Sequence, residues 1–593
     1  MLDEKRYLRM VAISSSALVG LVALLCVALL RGPKTQPATL GAAPPDGCVA
    51  CHSDPKDDPG GAHAAALVGC ASCHLGDREA STKEAAHAGM EPEPGALSTV
   101  KKTCGSCHAR EAERVLTSLM ATGRGIVSVD RWAFGEIPEP NTLQSMAEVL
   151  AAKAPTPGED HVRRLCGGCH LGTRKDNRDD AIRGVGSGCS GCHVASKRTD
   201  GDPHPVIFGV VPDRQCLGCH SRSARLSLSY QGLAEISGAT PCEKPTTLFD
   251  GRKGCSLPED VHHAAGLECV DCHLHTELMG DGTARPRARQ QLEIRCQTCH
   301  GPAKDARWEQ VKDPISRDLL RMRKQQRAPE ERVRLGARGT PVSNLRPSGP
   351  RTWQLEPKSG GAALVVKQTP ADANHALKGH DRLSCAACHS AWIPTCPSCH
   401  TSFDPGGKQW DFGRAAEASG AWRESNDGMG YGAPGLAVAG DRIQPGAPGM
   451  IATLDATAAG GEKRELRLVS TFDPHTTGKR ARSCASCHRS ATALGLGTGR
   501  LELGAAAPRF TPAHDDGWTR LFPAAPARGT HADARGLNAD EQRRVLQVGV
   551  CVECHSRADD VVWRDFRASV RRLQRGVASC KGRVPPWFRI PQW

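Results

Sequence analysis

Aromatic side chains are scarce in this chain of 593 residues: they make up 4%, with three Tyr and ten Phe. A chain of that length holds several domains of ordinary size. The scarcity excludes a core built mainly of aromatic rings, so something else must fill the interior. Methionine is also sparse, at nine residues, and none stands where it reads as an axial metal ligand. A third absence is more informative. No Cys-x-x-Cys pair lacks a His directly after its second Cys. Zinc ribbons pair cysteines without that requirement, and a thioredoxin-like dithiol occurs once, at the head of a helix. Neither explains these cysteines.

What is present is a series of twelve Cys-x-x-Cys-His motifs. The first four are Cys48/Cys51/His52, Cys70/Cys73/His74, Cys104/Cys107/His108 and Cys166/Cys169/His170. The next four are Cys189/Cys192/His193, Cys216/Cys219/His220, Cys269/Cys272/His273 and Cys296/Cys299/His300. The last four are Cys385/Cys388/His389, Cys396/Cys399/His400, Cys484/Cys487/His488 and Cys551/Cys554/His555. Two thiols three positions apart fall on one side of a helical turn, where each adds to one vinyl group of a haem. The following His then lies under the iron as proximal ligand. The expected cofactors are twelve covalently attached c-type haems, whose flat apolar bulk also replaces the missing aromatic core.

Twelve His remain outside the motifs: His63, His87, His161, His204, His262, His263, His275, His375, His380, His475, His514 and His531. They are the candidates for the sixth iron ligands, and bis-His coordination is expected at most or all sites. His161 and His380 each lie five residues before the first Cys of a motif, His263 six before and His63 seven before, while His275 lies two after His273. A His so close to a motif does not easily fold back over its own haem. It is expected to reach a neighbouring one, which packs the porphyrins together. The adjacent His262 and His263 point in different directions: they serve two haems, or one is idle and one iron keeps an open face.

The motifs use 24 of the 28 cysteines and leave Cys26, Cys242, Cys255 and Cys580. Cys242 and Cys255 share a loop-like stretch, and in an oxidising compartment a disulfide between them is expected. The formal charge of +13 suggests nucleic acid or an anionic membrane. Two propionates per haem offset it, leaving the oxidised holoprotein roughly neutral. The excess Arg and Lys is therefore read as counter-charge for propionates, and no nucleic-acid partner is expected.

Residues 10–30 carry no charge and are long enough to cross a bilayer, with 1–9 as a cytoplasmic N-terminus and 31–47 as a Pro/Gly/Ala linker. The competing reading is a cleaved signal peptide and a secreted protein. An eight-haem region spans 48–300, a haem-poor insert 301–384, a four-haem region 385–555, and a C-terminal helix and tail 556–593. Helices are expected near 109–121, 142–153 and 315–327 and in the tail, a hairpin around the Lys358-Ser-Gly-Gly turn, and a strand near 465–472. The stretch 401–483 reads as an irregular wrap. The expected fold is mostly irregular, with short α-helices around a covalent haem array, minor β hairpins and one N-terminal transmembrane helix.

Two segments carry a resemblance: Leu267-Glu-Cys-Val-Asp-Cys-His-Leu-His with Met279-Gly-Asp-Gly, and Arg482-Ser-Cys-Ala-Ser-Cys-His-Arg with Ala493-Leu-Gly-Leu-Gly. With the motif series they resemble the large membrane-associated multihaem c-type cytochromes of metal-respiring bacteria. The resemblance covers residues 48–555 and implies low-potential bis-His haems in a chain with little regular secondary structure. The expected function is a membrane-anchored periplasmic dodecahaem cytochrome, an electron carrier rather than an enzyme. It links the quinol pool or an inner-membrane partner to periplasmic or outer-membrane cytochromes. A multihaem oxidoreductase acting on a small nitrogen or sulfur oxyanion at an open haem is the alternative, and a cytochrome filament subunit is the third reading. The Cys-x-x-Cys-Lys signature of multihaem nitrite reductases is absent. Tyr230 and Tyr431, the only Tyr after the apolar segment, have no supporting motif for the Tyr cross-link of hydroxylamine-oxidising enzymes.

Overall fold

The computed structural model describes residues 47–52, 63–173, 186–194, 207–221 and 226–576, apart from 239, 323–324, 326–330, 351, 397, 427, 505 and 514–518, together with Pro585, Trp587 and Phe588. The expected anchor at 10–30, His204, His514, Cys26 and Cys580 lie outside the described residues. Among the described residues no helix is long and apolar enough to cross a membrane, so the transmembrane part of the expected fold has no counterpart there.

The helices are short and well capped. The sequence between the third and fourth motifs forms α1 (Arg124–Ala133), α2 (Met146–Ala151) and α3 (Pro157–His161). Ser145 caps α2 and Thr156 caps α3, each in a reciprocal box with the Glu three positions on. Each box satisfies amides that a helix start otherwise leaves open. Val127, Met146, Val149 and Val162 form the small core beneath them. Near the C-terminus, α4 (Ala539–Cys551) runs directly into the last motif, and α5 (Phe566–Gln574) follows it. A helix at Pro314–Met322 and a hairpin of Thr352–Leu355 with Leu364–Val366 occupy the expected stretches of the insert.

The largest departure from expectation is the β content. Strands take up 23% of the described residues, so the expectation of a mostly irregular fold with minor hairpins is corrected. The stretch read as an irregular wrap builds most of a seven-stranded sheet. Its strands are β1 (Ser398–Asp411), β2 (Ala416–Ser425), β3 (Gly435–Ala439), β4 (Arg442–Asp455), β5 (Lys463–Thr471), β6 (Arg528–Gly529) and β7 (Ala534–Arg535). The order β4–β3–β7–β6–β5 returns to β4 through a β4–β5 pairing, which closes a five-stranded barrel. β1 attaches to β4 in parallel, Ser398 opposite Ile451, and carries β2 on its other edge.

Ring size explains why this region is rich in Gly and Ala. Few strands enclose a narrow interior, and interior positions must be small. Ala437 is fully buried and Ala439 and Ala452 nearly so. At Gly446 a side chain would press on Ser470 O and on Ala437 Cβ. Gly440, with φ +61, supplies the left-handed turn that joins β3 to β4.

Two contacts bind the helical region to the barrel. Trp422 of β2 is buried among Phe134, Phe403 and His161, with ring centroids 5.0–5.3 Å apart. Arg163 donates from Nε to Asp411 Oδ1 at 2.7 Å and from Nη1 to the Ala152 carbonyl, and both charged side chains are nearly inaccessible. Substituting Asp411→Ala leaves that guanidinium buried and unpaired. The expected loss is about 3–5 kcal/mol, read as a lower urea midpoint with an unchanged slope. Leu143→Ala, at an exposed position, is expected to stay within about 0.5 kcal/mol.

Candidate paired-imidazole sites

The motifs share a local structure that the spacing explains. The amide of the motif His donates to the carbonyl of the first Cys at 2.8–3.0 Å in His52, His108, His193, His273 and His555, closing one turn around both thiols. Ser384 and Ser483 cap the turns at Cys385–His389 and Cys484–His488. Residues three apart on such a turn lie on one side, which presents both thiols together.

Among the described residues, six motif imidazoles each face a second imidazole from elsewhere in the chain. The pairs are His52 with His87 (centroids 6.0 Å apart), His108 with His63 (6.2 Å) and His300 with His262 (6.0 Å). The others are His273 with His475 (6.2 Å), His389 with His375 (6.3 Å) and His488 with His380 (6.0 Å). Metal–imidazole bonds are about 2 Å long; with the half-width of each ring added, two imidazoles on one ion stand about 6 Å apart between centroids. All six pairs have that spacing. In spacing, the residues present therefore fit an ion that both rings of a pair would ligate.

In seven of these twelve rings the far nitrogen is held as well. Nδ1 faces a backbone carbonyl in His87 (Lys83 O, 2.7 Å), His300 (Lys367 O, 2.5 Å), His475 (Asp473 O, 3.0 Å) and His488 (Val545 O, 2.9 Å). It faces a carboxylate in His262 (Asp260, 2.7 Å), His273 (Glu277, 2.9 Å) and His375 (Asp372, 2.8 Å). A proton fixed on Nδ1 leaves Nε2 as the free lone pair and sets the ring plane, as the outer partner of a metal-bound His does. Burial, reinforced by His380, pushes His488 down to about 4, so that ring is neutral and able to ligate at ordinary pH.

The pairing also crosses between motifs. His63, seven residues before the second motif, faces the third; His380, five before the ninth, faces the eleventh; and His262, before the seventh, faces the eighth. Between motifs the thiols meet. Cys104 and Cys189 hydrogen-bond side chain to side chain, as do Cys216 and Cys269, and Cys296 and Cys385. The bond from its partner brings Cys104 down to about 6, and likewise Cys385. Burial pushes Cys272 up to about 12 beside Cys299, and Cys192 up to about 11 beside Cys216. Burial also raises Cys388, next to Cys487. Cys484 Sγ reaches the Ser556 carbonyl at 3.5 Å, and Cys219 Sγ reaches the Cys169 carbonyl at 3.4 Å. Cys73 is raised by burial and by Cys104 and Cys107. These contacts link motifs in a spatial series from the second to the twelfth, with the fourth beside the sixth.

The expectation of twelve covalently attached haems is corrected here. Among the described residues no group of three or more His, Cys, Asp or Glu side chains gathers to hold a metal; what the chain assembles is imidazole pairs. At Cys396–His400 the expected turn does not form. Cys399 and His400 belong to β1, paired with β2 and β4 on both edges, so their side chains point to opposite faces. His170 differs in another way: the Gly172 amide donates to its Nδ1 at 3.2 Å. A count of motifs is therefore not a count of completed sites.

Among the second thiols of the motifs, Cys51, Cys107 and Cys554 are exposed. Cys51 follows a short turn, Gly47–Ala50, that buries none of its residues, and Cys554 lies in the open turn beyond α4. His74 and His220 are the expected proximal ligands of the second and sixth motifs. His74 ends the helix Cys70–His74 and turns its Nδ1 to the Glu91 carbonyl at 2.9 Å, with the Glu91 amide bonded back to the His74 carbonyl. His220 is the exposed last residue of the helix Asp213–His220, whose buried side chain is Gln215. His193 and His555 likewise turn Nδ1 to the Phe208 carbonyl at 3.1 Å and to Asp560 at 2.9 Å.

Several of the spare His take other places. His263 turns to Glu259 at 2.5 Å and packs edge-on to Tyr230, whose hydroxyl donates to the Leu267 carbonyl at 2.7 Å. His275 approaches Asp313 at 3.8 Å, and His531 lies near Arg287 and Arg289. Cys242 and Cys255 form the expected disulfide. His161 is sandwiched between Asp130 of α1 at 3.0 Å and Glu424 of β2 at 3.4 Å. No family model matches the chain, and neither curated proteins nor solved structures show a match.

His161 yields a pH prediction. Burial alone lowers its pKa, but the two carboxylates override it and hold the imidazolium to about 10. With an unfolded value near 6.5, the folded pKa is raised. The stabilisation is then complete below about pH 6.5 and is lost as pH climbs through about 10. The difference in Tm between wild type and His161→Gln is expected to be large at pH 6 and small at pH 10.5. A difference independent of pH would contradict the ion-pair role.

Proposed function

We propose that this chain is an extracytoplasmic electron-transfer protein of the multihaem c type. It would receive electrons from a quinol-oxidising membrane partner or another cytochrome and pass them to further cytochromes. The observation that carries the reading is the set of six imidazole pairs at axial-ligand spacing, each with one member in a Cys-x-x-Cys-His motif. A haem bound there supplies an iron that gains and loses one electron without making or breaking a bond to substrate.

The chain's own residues supply the rest. The motif cysteines would hold the group covalently, the paired imidazoles would ligate its iron, and the Nδ1 partners would keep those rings in place. The thiol-to-thiol contacts between motifs bring neighbouring macrocycles close, and electron tunnelling falls steeply with distance. The disulfide supports the extracytoplasmic, periplasmic location, since such bonds persist in oxidising compartments. Membrane attachment through residues 10–30 is part of the proposal.

The test is spectroscopic. Protein produced with covalent haem maturation is expected to show low-spin ferric electron paramagnetic resonance signals and negligible carbon monoxide binding when reduced. His375→Ala removes the ring opposite His389 and is expected to create one high-spin, carbon monoxide-binding centre. Its counterpart His263→Ala, at a ring engaged by Glu259 and Tyr230, is expected to create none. Absence of covalent haem from the mature protein would overturn the reading.

A further inference from the structure

Arg334 is a buried cation with part of its donor set unused. It lies on the strand Arg332–Leu335, opposite Trp308, and is 4% exposed. Trp308 and Trp353 face its guanidinium at 5.8 and 5.7 Å. Nη2 makes one long contact, 3.4 Å, to the Gln297 carbonyl. Nε and Nη1 are inaccessible and without a hydrogen-bond partner. Among the described residues no carboxylate stands within ion-pair distance of it.

This is an unusual state for an arginine. The guanidinium stays charged at any pH a protein meets, and a buried charge is retained when an opposite charge or a set of acceptors meets it. The indole faces attract the cation but leave its in-plane N–H groups unanswered. Nε and Nη1 lie on different edges of the planar guanidinium, and each can donate an N–H to a carboxylate oxygen.

Its neighbours say where that carboxylate comes from. Arg334 donates from Nη2 to the Gln297 carbonyl of the Cys296–His300 turn. Gln297, which it contacts, lies inside the same motif, and Trp353 Nε1 donates to the Cys299 carbonyl at 2.6 Å. Cys299 itself packs against the apolar cluster of Leu267, Leu345 and Trp353. We infer that Arg334 is the cationic half of a carboxylate-binding site at the Cys296–His300 motif, completed by a carboxylate of the prosthetic group attached there. The inference rests on the haem reading above for that motif. A propionate is the carboxylate such a group carries, and Arg334 would both dock it and raise the site's affinity for an electron.

The experiment uses the haem-loaded full chain. Arg334→Leu is expected to lower the midpoint potential of one centre by the equivalent of tenfold in its electron-binding constant, about 59 mV for one electron, with the others unmoved. Arg334→Lys, which keeps the charge, is expected to restore most of the shift. If the leucine variant fails to load haem, Arg334→Gln keeps a planar donor, loses only the charge, and carries the same expectation.

Acetate separates the two sources of a carboxylate. Potentials of the wild type that are independent of added acetate support the attached group. A potential that moves with acetate, and stops moving in Arg334→Leu, assigns the site to a free carboxylate and overturns the propionate. Unchanged potentials in a fully loaded Arg334→Leu protein overturn the site itself. Mass analysis of the peptide containing Cys296 and Cys299 separates the two levels: without a haem adduct the underlying reading fails, and with one only the role of Arg334 is at stake.

Discussion

One hydrogen bond recurs along the motif series, from the amide of the motif His back to the carbonyl of the first Cys. In His52, His108, His193, His273 and His555 it is 2.8–3.0 Å long. It winds five residues into a turn with two thiols on one flank and an imidazole at the end. The position of the facing ring depends on that turn. His488 can face His380 because Cys484–His488 is wound and capped by Ser483. Where a β-ladder claims the backbone instead, at Cys399 and His400, the same letters of sequence build an edge-to-edge strand pairing and the constellation is not presented.

That contrast defines what could be read from sequence. The motif turns were legible because their chemistry is local: spacing alone fixes which side chains share a face. It does not fix how deep the turn lies, which is why Cys51 and Cys554 reach the surface while Cys192 and Cys272 are enclosed. The Cys242–Cys255 bridge was legible for a related reason, since two cysteines without a following His in one loop have few alternatives. The barrel was not. Its strands carry Gly, Ala and Pro at a density that reads as loop, and only closure of the ring makes small interior residues favourable. The parallel pairing of β1 with β4, and of β5 with β6, depends on contacts far apart in the chain, where local propensity has little weight.

The spare histidines divide along the same line. Equal numbers of motif and non-motif His suggest one partner each, yet number does not encode direction. His161 lies five residues before a motif, as His380 does. The half-buried Asp130, the exposed Glu424 and Trp422 make it a structural cation that ties α1 and α3 to β2. His262 and His263 diverge as adjacent residues must, one toward His300 and the other toward Glu259 and Tyr230. The charge excess gains a particular meaning too. At Arg334 a positive charge is enclosed by tryptophans beside a motif, far from the solvated basic face that net charge alone suggests.

The crossed partners impose an order on maturation. His273 is made early in the chain, while His475, the ring that faces it, comes after the strands of the barrel. The seventh site is therefore open-faced until most of the polypeptide has emerged and β1 to β5 have been assembled. Closing so long a loop carries an entropic cost and a kinetic delay. Sites near the N-terminus face no such wait, since His52 and His108 meet rings within the same short segment. The His262–His300 and His375–His389 pairs likewise form between residues close in sequence, so the wait for the barrel falls on the His273–His475 pair.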